Sequence, residues 1–522
     1  MNRLTDLEYL KLNKFQAFLY KLKLFFFAIP AFFVSLGKGI VNFFVKCGLA
    51  IKNEVVDIIT TFTKGNWAVK LSFLIFGFGN FYYGQILRGI LFLIFEIVFF
   101  AYMFIPSGGI HWLSKGQWFQ KGKTIGTVQG GNVYNPTLDV DVWVNGDDSV
   151  KVLLYGLLTI VFIIAFVATW RMQVKQCRIC MDITASGKKI KSGKDDMKSL
   201  LDDEFHKTLL ALPIVGILVF TVLPIIYMVL IAFTSYDAQH DGYSNLFSWV
   251  GLEHFNELLD FGNGGLGLAF GEILSWTLMW SFFATFSNYF LGMLVAIIIN
   301  KKGIKFKKLW RTVLVMTIAI PQFVSLLYVS RLFDATGFVG KQLLEWGLIP
   351  DSMIAKNNLS LWSDPTSAKI LLIIINIWIG IPHMMLMASG ILMNIPDDLY
   401  ESSKVDGANV WQQYIKITLP YMLFVTGPYL LTSFVGNLNN FNVIYLLSGG
   451  NPLNTEVGTA GGVSVGSTDL LITWLHRMTL GSADTQYYMA SVIGIMVFLV
   501  VAVLSLIVYN VIPSTKNEED FG

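Results

Sequence analysis

Ser433, Asn437 and Asn440 are separated by four and three residues inside the apolar stretch Leu430 to Asn442, so a helix there carries all three on one face. Carboxamides and hydroxyls both donate and accept, the property that binding an uncharged polyhydroxyl ligand requires. Phe434 and Phe441 nearby, with Trp378 and His383 on the preceding apolar segment, offer flat surfaces for a ring. The same amides could instead bond one helix to another, worth roughly 0.6 to 2 kcal/mol per contact in a membrane. At this level both readings stand. Other candidate chemistry is sparse. Glu96 lies between Phe95 and Ile97 in an apolar run, where a contact within a helix bundle and a proton site are the alternatives. Cys177 and Cys180 form a lone Cys-x-x-Cys without a second pair or a histidine cluster, so the spacing calls for no metal, and nothing else calls for a cofactor. No Gly-x4-Gly-Lys-Ser/Thr loop is present to cradle a nucleotide's phosphates.

The elements that position these residues belong in a membrane. The 522-residue chain is 54% hydrophobic and 15% aromatic, with mean hydropathy +0.59, which excludes an ordinary soluble protein. A net charge of +3 is too small to argue for nucleic acid. Met1 to Lys23 reads as a basic amphipathic helix suited to an anionic membrane surface. The run Leu24 to Val45 lacks the layout of a removable signal peptide, and Leu71 to Tyr83 is short for a span, since about 20 residues are needed to cross. Eight clearer spans follow: Ile90–Ile105, Val152–Trp170, Thr208–Phe233, Trp276–Ile299, Thr312–Val329, Ile370–Met393, Tyr421–Leu447 and Tyr488–Val508. The fold class is therefore all-α, a polytopic membrane helix bundle of about eight transmembrane helices, or ten if the two doubtful runs also cross. Pro213, Pro224, Pro321 and Pro382 are expected to break or kink their helices. The connections Arg171–Lys207 and Asn300–Arg311 are dense in lysine, including Lys188, Lys189, Lys191, Lys301, Lys302, Lys305, Lys307 and Lys308. This places them, and both chain ends, in the cytoplasm.

The same alternation leaves one polar segment, Tyr400 to Pro420, on the cytoplasmic side between two apolar runs. Pro396, Asp397 and Asp398 suit a helix start, Gly407 permits an interruption, and Pro420 is expected to stop a second helix. Glu401, Lys404 and Asp406 charge the first half; Trp411, Tyr414 and Ile415 give the second an apolar stripe. An amphipathic loop packed on its own bundle would look similar. The order Glu401, Asp406-Gly407-Ala408, an aromatic, then Ile417, Leu419 and Pro420 resembles the "EAA" loop of permease subunits in ATP-driven importers, with Ser402 and Ser403 where that motif has two alanines.

From about Thr208 to Val508 the chain resembles the larger permease subunit of the maltose/maltodextrin importer family. The likeness is carried by Trp378-Ile379-Gly380-Ile381-Pro382, Ser433-Phe434, Asn437-x-Asn439-Asn440-Phe441, Gly449-Gly450-Asn451-Pro452 and Thr468-Asp469-Leu470-Leu471. The resemblance implies a type I importer permease fold and a sugar pocket at Gly380, Ser433, Asn437 and Asn440. His383 and Gly436 stand where well-known members carry aromatic rings, which implies a larger pocket and leaves the sugar open. It implies contact with an ATPase through Glu401, Ser402, Ser403, Asp406, Gly407 and Ala408. Its implied partners are a homologous smaller permease, two ATPase subunits, an extracellular sugar-binding protein and an oligosaccharide. The outer loop Ser235–Ser275 is too short for the folded domain that Gram-negative relatives insert there. The expected division is an amino-terminal extension 1–70, amino-terminal transmembrane helices 71–207 with an external loop 106–151, a permease core 208–510 with coupling loop 394–420, and a tail 511–522. Two other classes compete: an ion-coupled secondary transporter, expected to show several intramembrane ionisable groups, and a polytopic membrane glycosyltransferase, expected to show a carboxylate constellation.

Overall fold

The computed structural model describes residues 14–137, 139–190, 198–199, 202, 205–240, 245–261, 265–301, 303–334, 337–347, 361–460, 462–480 and 485–511. Met1 to Asn13, Lys191, Lys302 and most of the 511–522 tail lie outside them. The chain forms two compact units: Met1–Trp118 with Asp148–Tyr227, and Phe119–Asp147 with Met228–Gly522. The chain passes from the first unit to the second within an apolar helix, after Tyr227. In chain order the elements begin with α1 Lys14–Lys64, α2 Trp67–Leu71, α3 Phe78–Tyr82, α4 Ile86–Phe104, α5 Gly109–Lys115, β1 Gly131–Asn135, β2 Val140–Val144 and α6 Ser149–Ala185. There follow α7 Phe205–Ile217, α8 Leu223–Ile231, α9 Glu253–Leu258, α10 Leu266–Asn300, α11 Lys307–Ala319, α12 Gln322–Leu332, α13 Phe338–Glu345, α14 Pro365–Leu392, α15 Asp397–Val405 and α16 Val410–Gln413. The last are α17 Leu419–Leu438, α18 Phe441–Leu447, β3 Thr459–Ala460, β4 Val463–Ser464, α19 Leu471–Leu480 and α20 Tyr487–Val511. The fold is an all-α membrane bundle. Among the described residues seven helices are long and apolar enough to cross a bilayer, and α11 with α12 form an eighth, bent by 92°.

In the first unit, Leu24 to Val45 is part of the single long helix α1. Leu71 to Tyr83 runs from the last residue of the short helix α2 through an irregular turn into the short helix α3. That turn is held by polar side chains from the neighbouring helices. Glu96 Oε2 accepts from Phe76 N at 2.9 Å, and Ser72 Oγ accepts from Gly79 N at 2.7 Å. Unpaired backbone groups are costly in an apolar interior, so Glu96 serves here as a contact within the bundle. Phe76 and Phe99 both stack on Phe166, at 4.7 and 3.8 Å. Cys177 and Cys180 are buried on α6 against Ser72 and Gln85. Farther along α1, Glu54 and Asp57 bond to Arg171, whose guanidinium holds both carboxyls below their ordinary range.

In the second unit α10 and α14 form the spine. Asp364 starts α14 by accepting from Ser367 N at 2.8 Å, with Pro365 at the first helical position, where its missing N–H is harmless. Gly292 lets the two helices approach: a Cβ there would press on Met384. Three buried clusters succeed one another along α10, the second and third also drawing on α14. The first centres on Phe270 and Trp474, the second on Trp276, Trp280, Leu326 and Leu372, the third on Tyr289, Met293, Met385 and Met422.

Pro321 breaks its helix as expected: within Thr312–Val329, Ile320 and Pro321 are extended and separate α11 from α12, because Pro321 cannot donate and disfavours a helical residue before it. Two other sequence expectations about helix breaks need correction. Tyr421–Leu447 is broken after Leu438, where Asn440 caps α18 by accepting from Val443 N at 3.3 Å. Pro420, conversely, stops nothing. A π turn over Tyr414–Thr418 widens the helix ahead of the proline ring and relieves its clash with the Lys416 carbonyl, so Val410 to Leu438 run on as one span. Pro224 follows the π turn Leu218–Val222 with the same offset.

Candidate functional site

Between the second and third clusters, where α10 and α14 stop packing on apolar side chains, lies a cavity of about 560 Å³. Helix α10 contributes Thr285, Asn288 and Tyr289. Helix α14 contributes Asn376, Trp378, Gly380 and His383, and α17 contributes Tyr429, Ser433 and Asn437, with Asn440 just beyond its end. The break between α11 and α12 supplies the remaining wall, from Thr317 through Pro321 and Gln322 to Ser325. A broken helix leaves carbonyls at the end of one piece and N–H groups at the start of the next without helical partners. The wall is therefore polar even where its side chains are not.

The side chains form a partly satisfied network. Asn437 Nδ2 donates to Thr285 Oγ1 at 3.0 Å, and Asn440 Nδ2 donates to Asn437 Oδ1 at 3.2 Å. Tyr289 and Thr426 share a 2.9 Å hydroxyl bond behind the wall. Asn288 Oδ1 and Asn376 Nδ2 are buried with no protein partner, one acceptor and one donor left open. An unpaired buried amide costs about 1 to 3 kcal/mol, so a ligand hydroxyl that reached either would be favoured by that amount. The Gly380 backbone lies against the Asn288 carboxamide, and any side chain at 380 would displace it. His383 and Tyr429 face each other at 6.4 Å between ring centroids, and Trp378 is half exposed.

Gly380, His383, Ser433, Asn437 and Asn440 thus surround one cavity. Gly436 does not line it: the residue is exposed, and a Cβ there would meet nothing within 4 Å. Its lack of an aromatic ring therefore does not account for this cavity's size. Phe434 and Phe441 are also outside the lining, and Phe441 stacks on Tyr445 at 4.8 Å. Sequence reasoning missed Asn288, Asn376, Gln322, Ser325 and Tyr429. The polar identity of Asn288 and Asn376 within apolar spans was the available signal; for Gln322 and Ser325 it was the break expected at Pro321, which they follow.

The 394–420 segment forms the expected two-part lever. Helix α15 ends at Asp406, Gly407 turns the chain at φ +78°, and Asn409 with Gln412 forms a capping box for α16. Gln413 braces the two halves, donating to Ser403 Oγ at 2.7 Å and Tyr400 O at 3.2 Å, while Tyr400 and Thr418 share a 2.9 Å bond. Glu401, Ser402, Asp406 and Gly407 are exposed, Ser403 and Ala408 half-buried. The apolar stripe is packed on its own bundle only through Tyr414, which is partly buried against the third cluster; Val405, Val410, Trp411 and Ile415 are all exposed.

A multi-pass bundle with a polar cavity between broken helices, and an exposed lever between two spans, defines a membrane transport permease. Residues 288–517 match the family model of the binding-protein-dependent transport system inner membrane component. The chain is 32% identical over 392 residues to the maltodextrin transport system permease protein MalC of Streptococcus pneumoniae, covering 72% of this chain and 84% of that protein. It is 31% identical over 447 residues to the galactooligosaccharides transport system permease protein GanP of Bacillus subtilis, covering 85% and 96%. It is 33% identical over 274 residues to the maltose/maltodextrin transport system permease protein MalF of Vibrio parahaemolyticus, covering 52% and 49%. The chain belongs to the family of binding-protein-dependent transport permeases, in its maltose/maltodextrin group.

Proposed function

We propose that this permease carries maltodextrin-type oligosaccharides across the cytoplasmic membrane, with the cavity lined by Gly380, His383, Ser433, Asn437 and Asn440 as the sugar site. The observation that carries this reading is the pair of open amides, Asn288 Oδ1 and Asn376 Nδ2, in a cavity with no Asp, Glu, Lys or Arg among its lining residues. A neutral polyhydroxyl chain both donates to and accepts from such groups and needs no counter-charge. Both chain ends and the lysine-rich loops lie in the cytoplasm in this reading. The partners are a homologous smaller permease, two copies of an ATPase and an extracellular sugar-binding protein, and the working division keeps 208–510 as the permease core and 394–420 as its coupling loop. ATP-driven closure of the ATPase pair pulls on Glu401, Ser402, Ser403, Asp406, Gly407 and Ala408, and the rigid connection from α16 into α17 passes that movement to Ser433 and Asn437.

The similarity to a galactooligosaccharide permease over 85% of the chain favours one second reading, a galactooligosaccharide as cargo. Reconstitution with the ATPase and a sugar-loaded binding protein separates the two. Stimulation of ATP hydrolysis by α-glucans supports the proposal, and stimulation by galactooligosaccharides alone replaces the substrate. No stimulation by any loaded binding protein rejects the importer.

A further inference from the structure

Residues 119–147 belong to the second unit, although the chain before and after them does not. They are stitched there by backbone pairs: Gly122 N to Trp249 O at 2.7 Å, Trp249 N to Lys123 O at 3.0 Å, and Ile125 N to Phe247 O at 2.8 Å. Beyond this stem the chain closes on itself. Asp147 N donates to Val128 O at 2.7 Å, and Asp147 Oδ2 accepts from the N–H groups of Thr127 and Val128 at 2.8 and 3.0 Å. The Gly130 and Gly146 backbones approach so closely that a Cβ on Gly146 would collide with Gly130. The stem is complete at that point, yet a further hairpin, β1 with β2, is appended to it.

The hairpin is not folded for its own sake. Two strands alone are marginally stable in water, and these leave large apolar side chains uncovered. In the antiparallel register Asn132 opposes Trp143 and Tyr134 opposes Asp141, so Tyr134 and Trp143 lie diagonally on one face. Each is 58% exposed. Both rings are fixed at the polar end: Tyr134 donates to Asp139 Oδ1 and Trp143 Nε1 to Asn145 Oδ1 at 3.2 Å. The opposite face exposes Val140 and Val144. Rigid, exposed Tyr and Trp side chains are the residues that dominate binding energy at protein interfaces. The charges on the hairpin are all of one sign: Asp139 and Asp141 are exposed, and no lysine or arginine occurs from Thr124 to Asp147.

We infer that the Tyr134/Trp143 hairpin is a docking platform for the soluble binding protein, which meets it with an apolar face bordered by basic residues. This rests on the importer reading, which puts the hairpin outside the cell; family membership supplies a binding protein as the required partner. Exposed carboxylates oppose the alternative occupant, an anionic lipid surface. Opposite charge on the two partners speeds association in a salt-dependent way.

The test uses the complete reconstituted complex and reads ATP hydrolysis against the concentration of sugar-loaded binding protein. One variant deletes residues 131–145, joining Gly130 to Gly146 where they already meet. The second keeps the hairpin and carries Tyr134→Ser with Trp143→Ser. Both are expected to raise the half-maximal binding-protein concentration at least tenfold, leaving the basal rate and the rate at saturation unchanged. Asp139→Asn with Asp141→Asn is expected to flatten the salt dependence. An unaltered half-maximal concentration in both of the first two variants overturns the assignment. So does a defect confined to vesicles and missing in detergent, which would place the hairpin on lipid. A wild-type complex that no loaded binding protein stimulates overturns the importer reading itself, and this inference with it.

Discussion

Replacing Arg477 by Met removes the charge at the centre of the loop that follows α18. Arg477 donates to Gly449 O at 2.6 Å, Ser464 O at 3.0 Å and Asp469 Oδ1 at 3.2 Å. Asp469 is fully buried and also accepts from Gly466 N at 2.8 Å and Thr473 Oγ1 at 2.9 Å. Burial pushes its carboxyl up to about 6, against the pull of Arg477 and these two donors. Taking one partner from a buried ion pair costs about 3 to 5 kcal/mol. Here the carboxylate can relieve part of that loss by taking up a proton. Without Arg477 its pKa rises further, and being held neutral at pH 7 from a pKa of at least about 6 costs at most about 1.4 kcal/mol. The unmade bonds to two carbonyls, about 1 to 3 kcal/mol each, remain.

The sum is about 3 kcal/mol or more of local stability, a fall of roughly 100-fold in amide protection over residues 448–480. The folded carboxyl titrates above its unfolded value, so the native loop holds a proton more tightly between about pH 4 and 6. Stability therefore falls as pH rises through that window and is flat above it. In Arg477→Met the window extends upward, and its deficit against wild type must be larger at pH 8 than at pH 5. Adding Asp469→Asn must remove that pH dependence. Hydrogen exchange read by mass spectrometry, each variant compared with wild type at the same pH, measures all three. Exchange within twofold of wild type, or a deficit equal at both pH values, would refute the reasoning.

Gly380→Val drives a side chain into the Asn288 carboxamide; sugar uptake is expected to fall at least about tenfold with the complex still assembled, a displaced open amide being worth about 1 to 3 kcal/mol, and unchanged uptake would remove Gly380 from the site. Asn437→Ala deletes the link between Thr285 and Asn440; transport is expected to drop about 10- to 100-fold on the same arithmetic, measured beside ATPase binding, which should not change. Glu401→Ala is expected to weaken sugar-stimulated ATP hydrolysis, with loss of about 2 to 5 kcal/mol if its partner charge is left buried, while membrane insertion stays normal; full stimulation would exclude Glu401 from the joint.

Much of this architecture was legible because hydrophobic length is a strong signal. The spans of α10, α14 and α20 follow directly from uninterrupted apolar runs, and the face shared by Ser433 and Asn437 follows from helical spacing. What stayed hidden depends on local backbone geometry. Pro321 and Pro420 are the same residue type in similar settings, yet one breaks a helix and the other is absorbed by a π turn. Only the hydrogen-bond register of the preceding turn separates them. Gly436 was named from the family resemblance, which carries a position in a motif but not the side of the helix it faces; here it is exposed and outside the cavity lining. Hairpin β1/β2 escaped notice because its alternation is short and Gly-rich flanks read as loop.

The two breaks fall at the same place. The α11/α12 bend supplies Thr317 to Gln322 to the cavity wall, and the end of α17 supplies Asn437 and Asn440. In a bilayer, backbone that leaves the helix is tolerated only where protein or a water-filled cavity receives its polar groups. Two such interruptions are therefore costly unless the space between them is used, and here they border a single 560 Å³ space with two open amides. The breaks also free α12 and α18 from rigid continuity with α11 and α17. A movement entering through α16 can thus alter the wall around Asn440 without requiring α18 to follow, whereas Ser433 and Asn437, continuous with the lever through α17, must move with it.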